Sequence, residues 1–175
     1  MDLYEIEGKS PKISPDVAYI ADDVKIIGDV EIEEGVSIYN GVVIEGFPIK
    51  IKIGKYSNIQ SGTMIHGLSG YETIIGSYNT IGHRSLIHGC TLGTNVTIGI
   101  GSIIMGRTNI GDNCLVGAGT LITERKMFPP NSLILGSPGR VIKQLTEKDA
   151  ENAKAIALRY YDEAIILKKD LKKIN

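Results

Sequence analysis

The three histidines are the residues of this chain whose type and spacing point most directly to chemistry. They are His66, His83 and His88, so all of them lie between residues 66 and 88. Imidazole is a common zinc ligand, and three imidazoles with one open position form a typical catalytic zinc site. The histidines therefore suggest a metal site, unless each is an ordinary surface or interface histidine satisfied by water or backbone.

A six-residue repeat surrounds the histidines. Branched aliphatic residues recur at this spacing in four series: Ile20, Ile26, Ile32, Ile38 and Ile44; Ile53, Ile59 and Ile65; Ile75, Ile81 and Ile87; and Leu92, Ile98, Ile104, Ile110, Val116 and Ile122. A period of six suits a short strand followed by a turn. Three such units close one triangular coil of about 18 residues, and stacked coils bury the aliphatic positions in one column. We therefore predict an all-β solenoid, a parallel β-helix of hexapeptide repeats.

The breaks in the repeat lie close to the histidines. Gly46 to Ile51 predicts an interruption of the coil, and Gly67 to Thr73 predicts a surface loop directly after His66. The step from Ile87 to Leu92 is one residue short of six and follows His88. We expect the geometry of the coil to be adjusted locally around two of the three histidines.

The end of the chain predicts one amphipathic helix. The β-helix and an extended, proline-containing exit segment are assigned to residues 1–145, and the helix to residues 146–175, within one domain. Thr146 is the expected N-cap, with Asp149 three residues later. The apolar stripe that must pack on the coil or on a neighbouring subunit consists of Ala153, Ala157, Tyr160, Ala164, Leu167 and Leu171.

The repeat places the histidines on two different faces. His66 and His88 hold the same position in their units and are separated by about one coil plus a loop, so they can stack on adjacent rungs. His83 lies one corner before His88 and should point from another face. In a three-fold assembly, two imidazoles of one chain would meet the third from its neighbour.

Composition excludes several classes of partner. The formal charge of -1 comes from 19 basic and 20 acidic residues that are well mixed, so neither nucleic acid nor anionic lipid is an expected partner. Apolar runs fall short of the roughly 18 residues of a membrane span, and the first ten residues resemble no signal peptide. We expect a soluble, cytoplasmic protein whose two cysteines, Cys90 and Cys114, pack inside the coil.

Several motifs resemble the gamma-class carbonic anhydrase family. They are Ser37-Ile38-Tyr39, Ile53-Gly54-Lys55-Tyr56-Ser57-Asn58-Ile59-Gln60, Ile81-Gly82-His83, Ile87-His88-Gly89-Cys90 and Leu133-Ile134-Leu135-Gly136-Ser137-Pro138. The resemblance runs from about residue 10 to the helix. It implies a left-handed β-helix that forms a homotrimer, with Zn²⁺, Fe²⁺ or Co²⁺ at each of three interfaces. Such a metal lowers the pKa of bound water to about 7, and the resulting hydroxide hydrates carbon dioxide to bicarbonate.

The resemblance also implies a role for each site residue. His66 and His88 match the ligands that one subunit provides, and His83 matches the ligand from its neighbour. Gln60 matches a polar residue near the metal-bound water. Tyr160 falls where several relatives bring a helix tyrosine toward the site, so Gln60 and Tyr160 are the expected catalytic residues.

The chain departs from the family at three positions that bear on activity. Glu45, Gly46 and Phe47 stand where active members carry Arg-Gly-Asp, and Ser61 stands where an Asp usually follows the Gln. Losing the Arg and the first Asp removes a charge-assisted pair expected near the interface, and losing the second Asp removes a group that could orient metal-bound water. These departures are the signature expected of one alternative, a non-catalytic metal-binding or assembly protein. A second alternative is a coenzyme A-dependent acyltransferase with one His as general base, because hexapeptide-repeat folds also host such enzymes.

Overall fold

The computed structural model describes residues 1–174, which form a parallel β-solenoid of about seven turns followed by one helix. In chain order, strands β1 to β20 span Asp2–Tyr4, Lys12–Ile13, Tyr19–Ile20, Lys25–Ile32, Ser37–Ile38, Val43–Ile53, Asn58–Ile59, Met64–His66, Thr73–Ile75, Thr80–Ile81, Leu86–His88, Thr91–Leu92, Thr97–Ile98, Ile103–Ile104, Asn109–Ile110, Leu115–Val116, Leu121–Ile122, Met127–Phe128, Ser132–Gly136 and Gly139–Gln144. Helix α1 spans Glu147–Asp170. The predicted parallel β-helix of hexapeptide repeats with a C-terminal helix is confirmed.

Every turn contributes one strand segment to each of three faces. The first face stacks β1, the start of β4, the start of β6, β8, β11, β14 and β17. The second face stacks β2, the ends of β4 and β6, β9, β12, β15 and β18. The third face runs from β3 through β5, β7, β10, β13, β16 and β19 to β20, which is antiparallel to β19.

The aliphatic positions of the repeat form the core. Each of them from Ile26 to Ile122 is at most 2% exposed, whereas Ile20, on an early strand, is half-buried. Because parallel strands pair without a shift, Ile59, Ile81 and Ile98 lie directly above one another on the third face. Burying a side chain of this kind contributes about 1.5–3 kcal/mol, and the column joins all turns into one core.

A second inward column lies two residues before each aliphatic position. It is occupied by small or polar residues that are at most 2% exposed, including Val36, Val42, Ser57, Thr63, Thr73, Asn79, Ser85, Cys90, Val96, Ser102, Thr108, Cys114 and Thr120. The predicted burial of Cys90 and Cys114 is therefore correct. Several hydroxyls in this column hydrogen-bond to backbone carbonyls of a neighbouring turn, as Ser57 does to Gly76 at 2.8 Å. These bonds satisfy polar groups that the coil buries.

The glycines after the aliphatic positions lie where adjacent turns come closest. A Cβ on Gly54 would lie 2.7 Å from the carbonyl carbon of Gly76, and one on Gly82 would lie 2.7 Å from the nitrogen of Ile100. The contacted atoms belong to the backbone of the adjacent turn, so they cannot move aside without displacing that turn. The repeated glycine therefore allows the turns to stack at the distance that strand pairing requires.

The predicted interruption at Gly46 to Ile51 is wrong, because these residues lie inside β6. Gly46 pairs with Gly28 and Ile51 pairs with Val30, so residues 47–50 face a single residue of β4. The strand absorbs the extra residues as a bulge while both of its ends keep their partners. Residues 67–72, in contrast, form the predicted loop between β8 and β9, closed by a bridge between Leu68 and Tyr71.

Helix α1 lies along the third face, over β3, β5 and β7. Thr146 is its N-cap and forms a reciprocal capping box with Asp149, as expected. Ala157 and Ala164 of the predicted stripe are buried, whereas Leu171 lies beyond the last helical residue and is exposed. In the part of the chain that the structure describes, no helix combines the length and apolar character that a membrane crossing requires.

Candidate metal centre

His66 and His88 form an aligned pair on the first face. The two residues are directly paired in the parallel ladder between β8 and β11. Their rings are nearly parallel, with an interplanar angle of 9° and centroids 5.2 Å apart. Because successive side chains of a strand alternate in direction, the buried Ile65 and Ile87 force both histidines outward. The coil therefore presents two imidazoles side by side at its surface.

The environment of His88 favours the neutral imidazole that a metal requires. Burial lowers the pKa of His88, and the positive charge that His66 can carry lowers it further. Among residues 1–174, the buried Nδ1 atom of His88 has no hydrogen-bond partner. A neutral ring with an unsatisfied nitrogen, next to a second imidazole, fits the donor set of a divalent metal.

Glu45 extends the histidine column by one rung. It pairs with His66 in the ladder between β6 and β8, so Glu45, His66 and His88 stand in line on the first face. The Oε2 atom of Glu45 lies 3.9 Å from Nε2 of His66, and both side chains are about one third exposed. A carboxylate at this distance makes the surroundings of the pair favourable for a cation.

Thr73 connects the backbone segments that carry the two histidines. Its buried Oγ1 donates a hydrogen bond to the carbonyl of His66 at 2.8 Å and accepts one from the N–H of Gly89 at 3.0 Å. Thr73 is not among the site residues predicted from the sequence. The signal that could have found it is the column of small residues two positions before each aliphatic residue, in which Thr73 precedes Ile75.

His83 and Gln60 lie together beside the third face, Gln60 directly after β7 and His83 two residues after β10. The N–H of His83 donates to Oε1 of Gln60 at 3.3 Å, and Nε2 of Gln60 donates to Oδ1 of Asn58 at 3.2 Å. Asn58 in turn donates to Oγ1 of Thr80 at 2.9 Å. Gln60 is 4% exposed, so both ends of its amide are engaged within the protein. In this chain Gln60 holds the turn that carries His83.

Tyr160 reaches the coil next to Tyr39. The two rings meet edge to face with centroids 6.0 Å apart, and the Tyr39 hydroxyl donates to the Tyr160 carbonyl at 3.4 Å. Burial raises the pKa of Tyr39. Since β5 pairs with β7, Tyr39 lies one rung from Gln60. The third face therefore brings Tyr160 to the side of the molecule that carries Gln60 and His83.

The structure thus divides the predicted site residues into two groups. His66 and His88 are together on the first face, whereas Gln60 and His83 lie beside the third face and Tyr160 is on α1, which packs over that face. Within residues 1–174, no three His, Cys, Asp or Glu side chains converge closely enough to hold a metal. A three-histidine site would therefore require a second copy of the chain, as the positions of the histidines in the repeat predict.

Comparison with known proteins identifies the family. Residues 89–124 match the family described as bacterial transferase hexapeptide (six repeats). The chain is 48% identical to a probable carbonic anhydrase of Methanocaldococcus jannaschii over 141 residues, which are 81% of this chain and 89% of the relative. It is 38% identical to a carbonic anhydrase of Geobacillus kaustophilus, over 91% of this chain and 87% of the relative.

A mitochondrial gamma carbonic anhydrase 2 of Arabidopsis thaliana is 32% identical over 84% of this chain and 55% of its own length. The chain belongs to the gamma-class carbonic anhydrase-like family. Among solved structures, a hexapeptide transferase family protein from Anaplasma phagocytophilum matches this gamma-class chain with a TM-score of 0.88 and 35% identity, over 93% of this chain and 96% of that one. The same coil is thus shared by proteins named for two different activities.

Proposed function

We propose that this protein is a gamma-carbonic anhydrase-like metalloprotein that converts carbon dioxide to bicarbonate at the interfaces of a homotrimer. The observation that supports the proposal most directly is the in-register His66 and His88 pair, whose rings stack 5.2 Å apart. The family relationship implies a metal cofactor. Zn²⁺ is the first candidate and Fe²⁺ or Co²⁺ the next, and the cytoplasmic location stays a prediction.

In this proposal the ligands come from two chains. His66 and His88 of one subunit and His83 of its neighbour would hold the metal, which, when bound, activates water toward carbon dioxide as a Lewis acid. Gln60 positions His83 through the His83 N–H. Tyr160 and Tyr39 would line the approach from the third face, because their rings pack together one rung from Gln60.

Metal analysis combined with a hydration assay tests the proposal. Protein purified without oxygen should contain about one metal ion per chain, and zinc-loaded and iron-loaded samples should hydrate carbon dioxide above the buffer rate in stopped flow. Metal without hydration would contradict the enzymatic part and favour a non-catalytic metal-binding role. Protein that takes up no divalent metal would refute the site itself.

A mixing experiment tests whether the site is shared between subunits. His66→Ala and His83→Ala chains should each form metal-free assemblies, because each lacks one ligand at every interface. When the two chains are co-expressed, about a quarter of the interfaces of a random trimer combine an intact His66 with an intact His83. Metal content should recover to about that fraction. A site contained within one chain would show no recovery.

Acyl transfer is the second candidate, because the chain matches a transferase hexapeptide family and a solved hexapeptide transferase family protein. One histidine would then act as a general base toward an acceptor. Equilibrium binding of acetyl-coenzyme A to the metal-free protein separates the two candidates. Saturable binding together with absence of bound metal would favour acyl transfer, and the reverse pattern would favour the carbonic anhydrase-like function.

A further inference from the structure

One buried hydroxyl lies where the two histidine-bearing strands meet the loop between them. Thr73 is the first residue of β9 and follows directly on residues 67–72, the loop that leaves His66. Its side chain is 0% exposed. Its hydroxyl donates to the His66 carbonyl and accepts the N–H of Gly89, the residue after His88. The hydroxyl therefore bridges the backbones of both predicted ligands.

The bridge is closed by a third hydrogen bond. The Gly89 N–H also donates to the His66 carbonyl at 3.1 Å, so it is shared between that carbonyl and the Thr73 hydroxyl. Gly89 has a φ of +56°, and a side chain there would collide with Leu68 of the loop. The backbone that follows His88 is thus held from two sides, by the hydroxyl of Thr73 and by the side chain of Leu68.

Other hydroxyls of the same inward column hold parts of the coil without a histidine pair. Thr63 donates to the carbonyl of Gly82, Ser102 to that of Gly117 and Thr108 to that of Thr123, at 3.0–3.2 Å. These bonds show the ordinary structural use of the position, which is to connect one turn to another. At Thr73 the same kind of hydrogen bond connects the two backbone segments that carry the stacked imidazoles.

We propose that Thr73 is a positioning residue for the metal centre, whose hydroxyl sets the spacing and the parallel orientation of the His66 and His88 rings. The proposal rests on the proposed function, in which these rings bind metal together. The direction of each side chain follows from its backbone, so fixing His66 and Gly89 relative to each other limits how far the rings separate. Groups that orient metal ligands in this way typically change metal affinity by about 10–100-fold.

Three substitutions in the full-length protein test the role of the hydroxyl. Thr73→Val keeps the shape and β-branching of the side chain and removes both hydrogen bonds, and Thr73→Ser retains the hydroxyl. Thr108→Val is the matched control, because Thr108 is equally buried and also donates to a backbone carbonyl. If Thr73→Val does not fold, Thr73→Ala and Thr108→Ala form a second matched pair.

Two measurements on the metal-free protein report on positioning, and a third reports on binding. They are the NMR contact between the ring protons of His66 and His88, the hydrogen exchange of the Gly89 amide, and the dissociation constant for Zn²⁺ measured against a competing chelator. Thermal unfolding of each variant measures the general cost of losing a buried hydrogen bond.

We expect Thr73→Val to weaken the ring contact, to accelerate exchange at Gly89 and to raise the Zn²⁺ dissociation constant about tenfold or more. Thr73→Ser should restore all three, and Thr108→Val should change only stability. If Thr73→Val changes neither the NMR contact between the two rings nor the hydrogen exchange of the Gly89 amide, the proposal is overturned. If the wild type binds no Zn²⁺, the proposed function fails, and the two metal-free measurements still decide whether Thr73 sets the pair.

Discussion

Glu45 and His66 are direct neighbours in the parallel ladder between β6 and β8, and their side chains approach to 3.9 Å between Oε2 and Nε2. The acid therefore lies at one end of a column that continues through His66 to His88. The resemblance predicts an arginine at this position in active gamma-class members, and such an arginine would place the opposite charge beside the pair. The consequences for metal and anion binding can be measured separately.

Replacing Glu45 by Gln should weaken the binding of a divalent cation. At about 4 Å, two unit charges interact by about 1 kcal/mol when solvent screens them as in bulk water, and Glu45 is about one third exposed. We expect the Zn²⁺ dissociation constant to rise about fivefold. A chelator competition assay measures it, with Glu151→Gln, at an exposed acid of α1, as the control. An unchanged constant would show that Glu45 does not act on the metal.

Replacing His83 by Ala should remove metal while leaving the coil folded. The backbone N–H of His83 bonds to Gln60 and its carbonyl accepts the N–H of Gly101, and alanine preserves both bonds. Circular dichroism and thermal unfolding should therefore resemble those of the metal-free wild type, and metal content after dialysis should fall close to zero. Arg84→Gly is the control. Arg84 is the residue after His83, and its φ of +56° is a conformation that glycine adopts readily. Full metal content in His83→Ala would refute a three-histidine site.

Restoring the three family residues together tests whether catalysis has been lost. The variant combines Glu45→Arg, Phe47→Asp and Ser61→Asp, so that the added arginine has a carboxylate partner. If the native chain is a weak hydratase, kcat/KM should rise about tenfold or more, within the range that groups orienting a metal site contribute. Stopped flow with equal metal occupancy measures the change. If kcat/KM does not rise in an intact, metal-loaded assembly, the residues at positions 45, 47 and 61 do not account for weak catalysis.

The capping box of α1 predicts a pH-dependent contribution to stability. The backbone N–H and hydroxyl of Thr146 donate to the Asp149 carboxylate at 2.8 and 2.7 Å, and these bonds lower the pKa of Asp149. A carboxyl group whose pKa is lower in the folded than in the unfolded state stabilises the folded protein at pH values above its unfolded pKa, which is about 3.9. This stabilisation is lost as the pH falls through the pKa of the folded state.

Thr146→Ala should therefore lower the free energy of unfolding by about 1 kcal/mol near neutral pH. The difference from the wild type should shrink in acid, where protonated Asp149 no longer accepts both bonds as a charged group. Urea unfolding at a series of pH values measures the difference, provided that the assembly state is held constant. A difference that does not depend on pH would exclude the contribution of the Asp149 charge.

The two cysteines should be unreactive until the coil opens. Cys90 and Cys114 are at most 1% exposed, and burial raises the pKa of Cys90 to about 12 and raises that of Cys114 as well. Because the thiolate is the reactive form, a thiol reagent should modify neither residue in the native protein at mildly alkaline pH. Both should react in concentrated guanidinium chloride. Rapid modification without denaturant would contradict the closed core.

The sequence by itself determined the fold class, because a recurrent spacing of six in a chain this rich in isoleucine and glycine predicts short strands joined by turns in a β-solenoid. From Ile26 to Ile122 every predicted inward position is buried. The same spacing placed His66 and His88 on adjacent rungs and His83 on a different face, and the ladder pairs His66 with His88 as expected. These results follow from periodicity, which depends only on residues close together in the chain.

Only the tertiary structure decided how the irregular segments close. The extra residues at Gly46 to Ile51 look like an interruption in the sequence, yet β6 continues through them because pairing at both ends outweighs the cost of a bulge. Glu45, shortly before the bulge, pairs with His66 in the ladder between β6 and β8. Likewise, the repeat predicts that Thr73 points inward, but its bonds to His66 and Gly89 span a loop and nearly a full turn, so the repeat does not predict these partners. Contacts of this kind arise from the closure of the coil in three dimensions.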